Sequence, residues 1–266
     1  MKISVITVCY NSVATLQDTL ESVLRQTCPD VEYIVVDGAS KDGTRELIEK
    51  YAPKFSGRMK WISEPDQGIY DAMNKGIRMA TGDVIGFLNS DDYYYDSNVV
   101  QDIVAAFEKN PEADAIHGNL NYINAQGKIV RTWIGSPYKQ GSFQRGWMAA
   151  HPTFYCRHEC FKRYGSFDLT ISSAADFELM LRFIEKHHIS TYYINRFFIC
   201  MRTGGSSTSG IRAILRNGSQ NKVAFRKNGI NCPWHYVVSR FRDKFMQIYK
   251  TVSYTHLRAH ETPEHL

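Results

Sequence analysis

No apolar run in this 266-residue chain approaches the ~18–20 residues that a helix needs to cross a bilayer, so no segment reads as a transmembrane span. The apolar opening, Lys2 to Tyr10, lacks a small-residue cleavage site behind it and runs into Asn11-Ser12. It therefore does not read as a secretory leader, and a cytoplasmic location is the expectation. There is no G-x-G-x-x-G after the first strand and no G-x-x-x-x-G-K-[ST], which counts against NAD-dependent enzymes and P-loop NTPases. Collagen-like and coiled-coil architectures are excluded, because neither a Gly-X-Y nor a heptad period is present. The six cysteines (Cys9, Cys28, Cys156, Cys160, Cys200, Cys232) include no second Cys or His pair at zinc-ligand spacing. They read as reduced, mostly buried thiols.

What is present suits a large α/β domain. The chain is 43% hydrophobic and 22% charged, enough to build a core without disulfide staples. Its net charge of +5 is unevenly spread. Residues 1–210 hold 22 Lys and Arg against 24 Asp and Glu. Residues 211–250 hold nine basic side chains (Arg212, Arg216, Lys222, Arg226, Lys227, Arg240, Arg242, Lys244, Lys250) against Asp243 alone. A uniformly basic nucleic-acid binder would look different, and no nucleic-acid partner is expected. Residues 253–266 shift in composition and carry His256, His260 and His265. That tail resembles translated vector or sequencing-adaptor sequence, so its histidines are set aside.

The first half alternates strand and helix signals. Ile3 to Cys9 is a β-branched apolar run that suits a strand buried on both faces. Asn11 or Ser12 is a candidate cap for a helix through Leu16, Leu20, Val23 and Leu24. Strands follow at Glu32–Asp37, Met59–Ile62 and Val84–Leu88, with helices over Arg45–Tyr51 and Asp71–Ala80. This alternation predicts a doubly wound, mostly parallel sheet. The second half offers a β-hairpin over 116–131 and an amphipathic helix from Asp176 to His187. One or two basic amphipathic helices follow over 211–250, broken near Cys232-Pro233.

In such sheets ligands sit beyond the carboxyl ends of the strands, and polar residues gather there. They are Tyr10-Asn11 after the first strand, Asp37 ending the second and Asn89-Ser90-Asp91-Asp92 after the fourth. The adjacent carboxylates Asp91 and Asp92 suit Mg²⁺ or Mn²⁺ through hard oxygen ligands, or form a solvated turn. Asp37 either accepts bonds from a base or ribose or closes an Asx-turn. Asp66 to Tyr70 reads as a loop at a site mouth. Asp71 and Lys75 share a helix face, as donor-pocket residues or as a surface ion pair. His151 reads as a loop histidine, and Asp176 by itself as a favourable charge at a helix start.

Together these segments resemble the family 2 glycosyltransferases, with the inverting GT-A fold. Val5 to Asn11 is similar to that family's first strand, and Val35-Val36-Asp37-Gly38-Ala39-Ser40-Lys41-Asp42-Gly43-Thr44 to its nucleotide-binding segment. Thr81 to Asp92 resembles the run into the D-x-D-type metal motif. Gly165-Ser166-Phe167-Asp168 and Ala174 to Arg182 resemble the Gly-x-Phe-Asp and acceptor-site acidic segments. The Glu64 to Gly76 stretch is closest to the subset that builds bacterial exopolysaccharide, colanic-acid-like or O-antigen (lipopolysaccharide) repeats. Two residues depart from the pattern: Asn89 replaces the first Asp of the metal motif, and Ala175 replaces Glu in a Glu-Asp pair.

The resemblance implies a GT-A domain over 1–210, while charge and composition set off a basic helical extension over 211–252 and the foreign-looking tail over 253–266. It implies a nucleoside-diphosphate sugar donor, UDP-sugar favoured, with Thr7, Tyr10 and Asp37 holding base and ribose. Asp71 and Lys75 would line the donor pocket. Asp91, with Asp92, would bind Mg²⁺ or Mn²⁺ at the diphosphate, and Asp176 would be the general base of an inverting displacement. The implied acceptor is a glycan or a polyprenyl-diphosphate-linked sugar at the inner face of the membrane. The basic segment 211–250 would then dock on anionic lipid, aided by Trp234, Tyr236, Phe241, Phe245 and Tyr249. A sugar-phosphate nucleotidyltransferase, or a non-catalytic glycan- or nucleotide-binding protein, is the alternative.

Overall fold

The computed structural model describes residues 1–204, 210–234 and 236, with the side chains of the last helix described from 218 onward. The first half is a regular β/α alternation: β1 (Ile3–Cys9), α1 (Leu16–Leu24), β2 (Val31–Asp37), α2 (Thr44–Tyr51), β3 (Met59–Ser63), α3 (Ile69–Met79) and β4 (Val84–Phe87). β1 pairs in parallel with both β2 and β4, and β2 in parallel with β3. All seven residues of β1 and of β2 are buried, because helices cover both faces. Successive side chains of a strand point to opposite faces. Ile6 and Val8 therefore pack with Ala72, Met73 and Ile77 of α3. Val5 joins Leu16, Leu20 and Val23 of α1 on the other side, with Ile48 of α2.

The second half adds β5 (Tyr93–Tyr94), α4 (Val99–Lys109), β6 (Ala115–Ile123), β7 (Ile129–Trp133), β8 (Tyr155–Arg157), α5 (His158–Tyr164), α6 (Ala175–Met180), β9 (Thr191–Arg202) and α7 (Gly210–Lys227). The strand order is β3-β2-β1-β4-β8-β6-β9-β5, with β7 hung on β6 as the expected hairpin. The parallel doubly wound part is the β3-β2-β1-β4 half. β8 then runs antiparallel to both β4 and β6, and β6 lies parallel to β9.

Several local expectations change. The cap of α1 is Thr15, not Asn11 or Ser12, and no side chain caps it. Ser12 Oγ instead meets Ser90 Oγ at 3.0 Å, and Asn11 sits at φ 50°. The helix foreseen over Asp176–His187 is a six-residue α-helix that widens into a π-helical turn, Leu181–Lys186. There the His187 amide reaches the carbonyl of Arg182 at 3.0 Å. Tyr236, foreseen as an interfacial anchor, is fully buried and stacks edge-on to Phe225. The aromatic core of α6 is a drier home for its ring than a lipid surface. Trp234 is 90% exposed. Arg240, Arg242, Lys244, Lys250, Phe241, Phe245, Tyr249 and the 253–266 tail lie outside the described residues.

Candidate active site

The first wall is built from the ends of β1 and β2. Gly38 packs closely there: a β-carbon would sit 2.5 Å from Asp66 Oδ2 and 3.3 Å from the Tyr10 ring, so a larger residue would displace the Asp66 carboxylate. Asn11 and Ala39 both adopt left-handed backbone, at φ 50° and 60°, a strained choice for residues with side chains. Paired bonds hold them: the Asn11 amide donates to Ser40 Oγ (2.7 Å), and the Lys41 amide to Asn11 Oδ1 (2.9 Å). Tyr10 projects beside Gly38 with 64% of its surface exposed, an open aromatic face at a strand end. Asp37 is fully buried beneath it. Its carboxylate accepts from the Ser40 amide (3.1 Å), the Ser40 hydroxyl and Ser63 Oγ (2.6 Å), so it closes the loop from below. Burial and the Asp37 charge push the neighbouring Cys9 thiol far up, which keeps it protonated.

A second wall is the Glu64–Lys75 stretch. Lys75 does not pair with Asp71. It reaches back to the Pro65 carbonyl (2.6 Å) and to Glu64 (2.9 Å), while Asp71 accepts from the Gln67 amide at 3.0 Å. Asp66 Oδ1 accepts from the Gly68 amide at 2.8 Å. Both acids thus shape the turn that delivers α3. Asn74, buried on the same helix, grips the Phe167 backbone in both directions at 2.9 Å.

Asp91 and Asp92 follow β4 but face different surroundings. Asp92 is fully buried and accepts from Asn89 Nδ2 (2.8 Å) and the Arg202 amide (3.1 Å), one on each oxygen. Burial first, then the charge of Asp91, pushes its carboxyl up to about 8. Asp91 is half-buried. Burial pushes its carboxyl up as well, against the pull of its own amide and of Arg202. Arg202, at the end of β9, donates to the Asp91 carbonyl at 3.0 Å and pairs with Asp18 of α1.

Asp176 enters from the far side, in the first turn of α6. Tyr70, next to the α3 turn, donates its hydroxyl to Asp176 Oδ1 at 3.1 Å. The Tyr70 ring packs on Phe167 (5.4 Å), and Phe167 packs on Phe87 at the end of β4 (5.3 Å). His151 stacks on Phe87 at 5.4 Å, with Nε2 buried and unpartnered. Burial pulls its pKa down, and the Asp176 charge pulls it back up. Behind Asp176, Glu178 forms a two-point ion pair with Arg182 (2.9 and 3.1 Å) and accepts from Asn228 at 3.0 Å. The Arg182 guanidinium also donates to the carbonyls of Tyr164, Gly165 and Ser166.

Comparison with known proteins decides the family. The family model described as "Glycosyl transferase family 2" matches residues 4–164. The chain belongs to that family. A "PGL/p-HBAD biosynthesis glycosyltransferase" of Mycobacterium bovis (strain BCG / Pasteur 1173P2) is 29% identical over 197 residues, covering 72% of this chain and 73% of the relative. Among solved structures, the Pyrobaculum calidifontis mannosyltransferase PcManGT, bound to GDP-Man and Mn²⁺, superimposes with a TM-score of 0.66. It is 16% identical, with 98% of this chain and 76% of that one covered. Staphylococcus aureus TarS 1-349 with UDP-GlcNAc gives a TM-score of 0.61 at 19% identity, covering 85% of this chain and 71% of that one. A second TarS structure has a longer chain, of which this chain covers 37%. These likenesses establish the GT-A fold.

In this glycosyltransferase the structure joins Tyr10, Asp37, Asp71, Lys75 and Asp91 to loops at the strand ends and links Asp176 to α3. Thr7 is not brought there. It is fully buried within β1, where its hydroxyl accepts from Tyr33 at 3.0 Å. Among the described residues no three His, Cys, Asp or Glu side chains cluster as a metal site. Each oxygen of Asp92 already accepts one bond, whereas Asp91 keeps a half-buried carboxylate bonded to none of the described residues but its own amide. Arg202 is a neighbour of the site that sequence reasoning did not name, while Tyr70 was read only as the end of a site-mouth loop and His151 only as a loop histidine. Tyr70 had a local signal in its position just before Asp71, but its link to Asp176 spans 106 residues.

Proposed function

We propose that the chain transfers a sugar, with inversion, from a nucleoside-diphosphate sugar (UDP-sugar favoured) to an acceptor hydroxyl, with Asp176 as the general base. The carrying observation is the Tyr70–Asp176 contact, which sets a carboxylate from the second half of the chain against the head of α3, beside the Glu64–Gly68 loop. Tyr10 offers an exposed face for the base, and the Asp37–Ser40 turn supports the loop beneath the ribose. Lys75 and Asp71 hold the Glu64–Gly68 loop as the donor-side rim.

Asp91 is the residue that fits a Mg²⁺ or Mn²⁺ ion, since its half-buried carboxylate accepts no bond from another described side chain and burial raises its pKa despite the nearby Arg202 charge. When bound, the metal supplies neutralisation of the charge that gathers on the departing diphosphate. Asp176 takes the proton of the acceptor hydroxyl as its oxygen attacks the anomeric carbon, and the nucleoside diphosphate leaves from the opposite face. The acceptor is a glycan or polyprenyl-diphosphate-linked sugar of a cell-surface polysaccharide of the exopolysaccharide or O-antigen kind. The exposed Lys222, Arg226 and Trp234 support a peripheral station on an anionic membrane.

Asp176→Asn is the direct test. Transfer should fall by about 10²–10⁴-fold, while the nucleoside diphosphate alone still binds. Retained transfer would remove Asp176 as base, and release of pyrophosphate instead of nucleoside diphosphate would point to nucleotidyl chemistry.

A further inference from the structure

We infer that Tyr70 is the positioning residue of the base, an inference that rests on the assignment of Asp176 above. The Tyr70 hydroxyl donates to Asp176 Oδ1 at 3.1 Å. The amides of Ala175 and Asp176 at the head of α6 lie against the same phenol oxygen. One hydroxyl therefore fixes both the start of α6 and the orientation of its carboxylate. It occupies one carboxylate oxygen and leaves the other to take the acceptor proton.

The phenol is itself held. Its ring packs on Phe167 at 5.4 Å, and Phe167 is locked by the two Asn74 bonds at 2.9 Å. Tyr70 and Asn74 both belong to α3, the helix whose head is shaped by the Asp66–Asp71 turn and by Lys75. The donor-side loop and the base are thus tied through a single side chain. Burial, then the Asp176 charge and the bond to it, push the phenol far above its ordinary range. It stays a donor throughout the working pH range, so it is not a second base. The other titratable ring near Asp176 is His151, whose packing against Phe87 and Phe167 keeps it largely neutral.

Tyr70→Phe removes the hydroxyl and keeps the ring on Phe167. Its kcat should fall about ten-fold, as expected for losing a hydrogen bond to a charged group, with the donor KM unchanged within two-fold. Nucleoside diphosphate binding and thermal midpoint should match wild type, whereas Tyr70→Leu, which also loses the ring contact, should lower the midpoint. A Tyr70→Phe enzyme with wild-type kcat, or one whose loss lies in donor KM with kcat unchanged, overturns the inference. If Asp176→Asn keeps full transfer, the base assignment falls first and takes this inference with it. If Asp176→Asn is inactive and Tyr70→Phe behaves as wild type, only the positioning role is lost.

Discussion

Asp91 and Asp92 are chemically identical neighbours whose surroundings differ. Asp92 is turned inward, each oxygen accepting one bond, and is held largely protonated by burial and by its neighbour's charge. Asp91 keeps the open carboxylate. The raised pKa of Asp92 has a consequence for stability. Between the ordinary carboxyl range near 4 and the folded value of about 8, the unfolded chain has released this proton and the folded chain has not. Folding stability from this group is therefore complete below about pH 4 and is lost progressively as pH rises to about 8. Asp92→Asn should remove that part of the pH dependence, flattening the urea-unfolding free energy between pH 5 and 8. An unchanged slope would mean that Asp92 is ionised in the fold. Asparagine at 89 belongs to the same arrangement: its amide donates to Asp92, and a carboxylate could not.

At the scale of elements, α3 organises the site. It carries Tyr70 to Asp176, Asn74 to Phe167 and Lys75 to the Pro65 loop within six residues. Such reach requires the helix to lie close on the sheet, and Gly76 permits it. A β-carbon at that position would sit 2.4 Å from Ile6 Cγ2. Gly76→Ala should cost about 1–3 kcal/mol by overpacking, despite the better helix propensity of alanine. In Ile6→Ala the added methyl should be far better tolerated, so a double-mutant cycle by chemical denaturation should show strong coupling. Simple additivity would place the helix farther from β1. The four strands and three helices of the first half were legible in the sequence because buried strands and amphipathic helices carry their periodicity locally. The contacts made by α3 were not legible, since they depend on which face a crossover helix turns to segments some hundred residues away.

For the whole molecule, the basic C-terminal segment has two faces. Ala224 and Phe225 of α7 are fully buried, Phe225 against Phe177, and Lys227 pairs with Asp168 at 2.6 Å. The helix therefore braces α6, beginning where the catalytic domain was expected to end. Lys222 and Arg226 remain exposed, which is the side available to a membrane. Among the described residues no helix is long and apolar enough to cross one. Flotation with liposomes should retain the protein on anionic but not neutral lipid. The pair Lys222→Glu and Arg226→Glu should reduce retention while leaving donor turnover intact. Retention that ignores both lipid charge and these substitutions would remove the docking role.

The sequence by itself determined the α/β class, the alternation of strands and helices in the first half and the family resemblance, along with the strand-end polar residues from Tyr10 to Asp91. Each of these is written in short-range patterns: β-branched runs, helical spacing, and polar residues directly after a buried strand. Tertiary structure alone decided that Thr7 and Asp92 turn inward, that Lys75 pairs with Glu64, and that Tyr236 belongs to the core. It also decided that Tyr70 meets Asp176. The reason is geometric, since which side of a strand or helix faces the core, and what lies opposite, is settled only when distant elements pack.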